Sequence, residues 1–250
     1  IIDVDKGIEL ITGFKKEELI NKFILGGKAP LYDRLRNPDS IEKVSSHWRP
    51  QFSFPIQDVP DERLKETLYY VDYQGVRFIS LDSNIEVEIQ SDWLRKVLEE
   101  NKNRWTIITF HHPLYSPASD RDNFKMRQLW KPLLDEFKVD LVLSGHDHSY
   151  SRTGLIDAEK IENIPTGYQQ AYDPEIGTVH VVSVSGPKMY KIGKGQFAKK
   201  IGENIQLYQI IDINNDKLRF RAYKATGKLY DEFLLQKRKG KPNLLVETNS

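Results

Sequence analysis

Cysteine is absent from the 250-residue chain. That excludes a disulfide framework, thiolate zinc sites and a cysteine nucleophile. It leaves the compartment open, since chains without cysteine serve in oxidising and reducing surroundings alike. No apolar run approaches the roughly 20 residues of a membrane span, and no secretory signal opens the sequence. The first residue is Ile rather than Met, so a removed or uncaptured upstream segment is expected. Charge of one sign is also missing: Lys and Arg number 37 against 36 Asp and Glu, a net charge of +1. No basic field points to nucleic acid or an anionic membrane. The short basic run from Gln236 to Lys241 reads as a solvated end. What is present is 39% hydrophobic and 11% aromatic residues, enough for a sizeable core. The length suits one large domain or two small ones.

Residues 1–45 differ from the rest. A helix is expected between Gly7 and Lys22, followed by a linker with Gly26-Gly27, Pro30 and Asn37-Pro38. The stretch Ile11 to Leu19 resembles a segment of PAS sensor domains; a common amphipathic helix reads the same way. From about residue 66 the pattern is regular. Leu68 to Tyr73 and Val76 to Asp82 read as a hairpin turning at Gln74-Gly75. Ser91 can cap a helix reaching about Asn101, with Trp93, Leu94, Val97 and Leu98 on one face. Trp105 to Phe110 and Val139 to Ser144 read as buried strands. Between them lies a helix from Phe124 to Phe137, which Pro132 should kink or restart. This alternation predicts a parallel βαβαβ unit. After a loop at 154–176, the segments Thr178–Val184, Leu207–Ile213, Lys217–Tyr223 and Leu229–Leu235 read as an antiparallel meander. A tail, 247–250, closes the chain.

Four of the six histidines form two clusters, His111-His112 and His146-Asp147-His148, each directly after a buried strand. In open α/β sheets, ligands bind beyond the carboxyl ends of the strands. Adjacent parallel strands would bring the clusters together, and neutral imidazoles are common ligands of zinc, iron and similar ions. Gly145 should permit a sharp exit from the strand. His146 and His148, two residues apart, would point the same way from an extended segment, with Asp147 tying down the turn. His47 and His180 read as structural residues.

These blocks carry a resemblance. Gly145-His146-Asp147-His148-Ser149-Tyr150-Ser151-Arg152 resembles the GHxH block of calcineurin-like metallophosphoesterases, in the form seen in purple acid phosphatases. Phe110-His111-His112-Pro113-Leu114-Tyr115 resembles the preceding block of that family. Trp48 to Phe52, Phe78 to Asn84 and Gly227 to Asp231 are similar to bacterial members, so the likeness runs over about 46–246. It implies a partial four-layer αββα sandwich of mixed α/β class, the parallel part preceding the meander. It implies hydrolysis of a phosphate ester substrate by hydroxide held between two metal ions, Fe with Zn or Mn. His111 and His146 would ligate one ion and His148 the other. His112 would stand behind the ligands or face the phosphate, while Tyr150 and Arg152 would support the histidine loop or line the pocket. A secreted or periplasmic setting goes with the resemblance.

The family's earlier motifs, Asp-x-His, Gly-Asp-x-x-Tyr and Gly-Asn-His-Glu/Asp, do not occur in the sequence. They supply the bridging carboxylate and further ligands. Two adjacent cations repel unless an anion bridges them. The expectation is therefore at most one weakly bound ion and little activity for the chain alone. Competing readings are a non-catalytic metal- or phosphate-binding module and an unrelated single-zinc hydrolase, for which Asp82 is the best acidic candidate, though a structural role suits it better.

Overall fold

The computed structural model describes residues 52–56, 58–119, 121–156, 177–193 and 198–247. The expected leader helix and linker, His47, Trp48 to Gln51, most of the 154–176 loop and residues 248–250 lie outside them.

The first hairpin pairs β1 (Tyr69–Tyr73) with β2 (Val76–Ser80) in antiparallel register, Tyr73 opposite Val76. Gln74 and Gly75 both take positive φ, 46° and 80°. That is the two-residue turn whose twist matches the strands. A helix, α1 (Val87–Glu99), leads to β3 (Trp105–Thr109), and α2 (Phe124–Glu136) leads to β4 (Leu141–Ser144). β2, β3 and β4 are parallel neighbours, so the predicted βαβαβ unit is present.

Ser91 does not begin α1. The helix starts one turn earlier, after Glu86, because Gln90 fastens its entry. The Gln90 amide accepts from Asp82 N–H (2.8 Å) and donates to the carbonyls of Asp82 (2.7 Å) and Ile85 (2.6 Å). Ser91 Oγ instead donates to Val87 O (3.0 Å) within the helix. Nor does Pro132 restart α2, which runs through it as one element. Pro132 and Gln128, whose carbonyl loses its intrahelical donor, are both exposed, so water can serve that carbonyl.

The meander is shorter at its start and longer at its end than expected. β6 (Thr178–Val182) is not part of it but a parallel neighbour of β4. Its five residues are all buried, as for an inner strand covered on both faces. Two strands had no clear sequence signal, β5 (Tyr150–Ile156) and β7 (Ala198–Gly202). They extend the first sheet to the order β1-β2-β3-β4-β6-β5-β7. The second sheet is antiparallel: β8 (Leu207–Asn214), β9 (Lys217–Lys224), β10 (Leu229–Arg238) and β11 (Lys241–Glu247). The basic run at 236–241 is therefore the turn of the β10–β11 hairpin, with Gly240 at φ 67°, rather than a solvated end.

Two cores follow from strand alternation. Ile79, Ile108, Phe110 and Val142 pack against α1 and α2 through Trp93, Leu94, Trp130 and Leu134. Ile107, Leu141, Leu143, Val179 and Val181 face the second sheet, meeting Leu218, Phe220, Phe233 and Leu235. The layers run helices, mixed sheet, antiparallel sheet, and the loops beyond β3 and β4 emerge at one edge.

Candidate metal centre

β3 and β4 keep pairing past their formal ends. Phe110 N–H donates to Leu143 O (3.2 Å), and Gly145 N–H donates to His111 O (3.0 Å). Phe110 is anchored against Trp130, ring centroids 5.2 Å apart. The two histidine clusters thus leave the sheet side by side. His146 Nδ1 lies 3.0 Å from His111 Nε2. The His112 ring centroid is 4.1 Å from that of His146 and 4.9 Å from that of His111. One nitrogen from each of the three falls within 4.8 Å of the others, and all three rings are half-buried.

The loop is shaped differently from the sequence expectation. Gly145 does not take positive φ; His146 and His148 do, at 67° and 48°. The segment is bent, so the two histidines do not point the same way. The cause is Asp147, wholly buried between them. Its N–H donates to Gly145 O (2.8 Å). Its carboxylate accepts from Ser116 Oγ (2.6 Å) and pairs with Arg121 (3.1 Å). Burial raises its pKa, opposed by the bonds from Ser116 and Arg121. Asp147 thus ties the turn down, as anticipated.

His148 is buried and stands apart from the three-imidazole group. Its ring stacks on Tyr190 at 4.4 Å and 10°. Arg121 and Lys188 lie over the Tyr190 ring at 4.8 and 4.9 Å, and Lys188 draws the Tyr190 pKa down. Tyr150 and Arg152 reach across to Asp231 of the second sheet. Alternation along β5 turns both toward the second sheet. Tyr150 Oη donates to Asp231 (2.7 Å), and Arg152 binds both Asp231 oxygens (2.7 and 3.1 Å) and Glu247 (3.1 Å). Asp82 is buried and accepts from Asn84 N–H (2.9 Å), a structural role. His180 is buried against Tyr115, as expected for a structural residue.

Ser83 was not singled out from sequence, although it sits in the block Phe78 to Asn84. Its Oγ accepts from His112 N–H (2.9 Å) and lies 2.9 Å from His112 Nδ1. Asp231 likewise closes the block Gly227 to Asp231.

The donor set fits a transition ion. With metal–nitrogen bonds of about 2.0–2.1 Å, neighbouring ligand nitrogens stand roughly 3.0–3.4 Å apart. The His111–His146 spacing already meets this. Among the described residues, no carboxylate joins the group.

A mixed sheet with imidazoles at adjacent parallel strand ends, backed by an antiparallel sheet, defines a metallophosphoesterase-type fold. The family model for calcineurin-like phosphoesterases matches residues 25–150, half of the chain, and the chain belongs to that family. The match begins within the segment 1–45. Purple acid phosphatase 23 of Arabidopsis thaliana is 29% identical over 157 residues, covering 59% of this chain and 31% of the relative. An acid phosphatase of Aspergillus ficuum is 35% identical over 88 residues, covering 32% and 14%. The chain therefore spans less than a third of either relative. The purple acid phosphatase from yellow lupin seeds (Lupinus luteus) shares the fold, with a TM-score of 0.53 at 22% identity over 71% of this chain and 34% of that one. The resemblance is that of a phosphatase-type hydrolase.

Proposed function

We propose that this chain carries the histidine side of a metal-dependent phosphoester hydrolase centre. His111 and His146 hold one ion. The observation that carries this reading is their 3.0 Å nitrogen separation at two adjacent parallel strand ends. His148 serves a second ion where the carboxylates of a full centre are present, after its ring leaves Tyr190. The ions, when bound, supply an activated water and neutralise charge on the phosphoryl oxygens. The chain's own part is to position them and the substrate. Asp147 fixes the loop. Arg121 and Lys188 bring positive charge beside Tyr190, favouring an anionic ester. The kinship with purple acid phosphatases favours a secreted or periplasmic setting.

A second reading is a non-catalytic metal- or phosphate-binding module. It is favoured by the lack of a carboxylate in the imidazole group among the described residues. Both readings make the chain a one-ion binder with little turnover by itself. Metal analysis of the purified chain beside His146→Ala tests the centre. Wild-type protein should retain close to one equivalent of zinc or a similar ion, and the variant should lose it. Equal metal content in both would end the proposal. Turnover of an aryl phosphate by the metal-loaded chain at rates on the order of 1 s⁻¹ or more would refute the expectation of little activity for the chain alone.

A further inference from the structure

We infer that His112 is a third imidazole ligand of the ion held by His111 and His146, and that Ser83 is the residue that aims it. The inference rests on the metal centre proposed above and goes beyond it.

Ser83 stands three residues past the end of β2, hydrogen-bonded to the loop that follows β3, and is buried. Its single oxygen meets His112 twice, at the backbone N–H and at ring Nδ1, both 2.9 Å. Two contacts from one atom fix the backbone and the ring plane together. A hydroxyl oxygen can accept both hydrogens. With Nδ1–H donated to Ser83, the lone pair of the neutral ring sits on Nε2. Metal-bound histidines are commonly oriented by donating their other ring N–H to such a partner.

The neighbours agree. The His112 ring lies closer to His146 than His111 does, 4.1 Å against 4.8 Å between centroids. One ring nitrogen of each of the three histidines lies within 4.8 Å of the others. Ligand nitrogens on one tetrahedral ion stand about 3.4 Å apart at bond lengths near 2.1 Å, so the widest spacing in the group needs to close by about 1.4 Å. His148 is outside the group and stacked on Tyr190. Three imidazoles on one ion form a donor set suited to Zn²⁺ or Co²⁺.

The test uses the full chain and Co²⁺, whose visible absorption reports the ligand field. Affinity and spectrum are measured for wild type, His112→Ala, His112→Gln, Ser83→Ala, Ser83→Thr and His146→Ala. Circular dichroism melting of each metal-free variant separates ligand loss from unfolding. His112→Ala and His112→Gln should each lower Co²⁺ affinity by about 100-fold and change the spectrum. Ser83→Ala should cost about 10-fold, and Ser83→Thr, which keeps the hydroxyl, should restore most of it. Wild-type affinity and spectrum in His112→Gln, with binding lost in His146→Ala, would overturn His112 as a ligand and leave the underlying centre standing. Unchanged binding in His146→Ala would bring down the underlying centre.

Discussion

His180 shows what one buried side chain does to the molecule's response to acid. Among the described residues, neither of its ring nitrogens has a hydrogen-bond partner. Burial, and then the charge of Lys131, push its pKa well below the ordinary value. The native state therefore keeps the ring neutral while the unfolded chain protonates near pH 6.5. The stabilising contribution is present above that value and is lost as pH falls toward the depressed native value. Melting between pH 7 and 5 should reveal a loss of up to about 1.4 kcal/mol per pH unit from this residue. In His180→Leu that slope should flatten, with stability at pH 7 unchanged or higher. Asp147 is a second case. Asp147→Ala leaves the buried Ser116 hydroxyl without its acceptor and should cost about 1–3 kcal/mol in denaturant unfolding. Metal affinity should fall with it, because the bend through His146 loosens. The candidate histidines and their strand-end positions were legible in the sequence. The left-handed turns at His146 and His148 were not, since they depend on Ser116 and Arg121, some 30 residues away. Ser83 was hidden for the same reason: nothing local distinguishes it from any serine after a strand.

Strands and helices divide by how they are buried. β2, β3, β4 and the two helices announce themselves through apolar runs and helical spacing. β5 opens with Tyr-Ser-Arg-Thr-Gly before Leu-Ile, and its one charged group is satisfied across the sheets rather than by water. Arg152 and Asp231 form that link, with side chains 3% and 4% exposed. Asp231→Ala should destabilise the fold by about 3–5 kcal/mol, since it strands a buried guanidinium; chemical denaturation would measure this. A smaller loss would mean that Glu247 and water can take over. In α2, Pro132→Ala restores an N–H donor to the carbonyl of Gln128. At this exposed site the change should raise stability by about 1–3 kcal/mol, read as a higher melting temperature. The same exposure explains why the proline, a reliable breaker by rule, does not restart this helix.

At the scale of the whole molecule, two sheets are joined by polar bridges at both ends of their contact. Near the histidine loop, Arg152 and Tyr150 reach Asp231. At the opposite ends of the strands, buried Asp140 accepts from Lys237 and from Asn243 (2.6 Å), and from Thr106 N–H (2.9 Å). The parallel unit could be read from alternating strands and helices. Its continuation through β6 could not, because the intervening antiparallel β5 breaks the rhythm on which that reading depends. The final hairpin contributes to both bridges, through Asn243 at one and Glu247 at the other. Exopeptidase digestion of the last ten or so residues would therefore act far from where it cuts. It would unlatch the layers at two places, letting solvent into the seam beneath the histidines while leaving every imidazole in the chain.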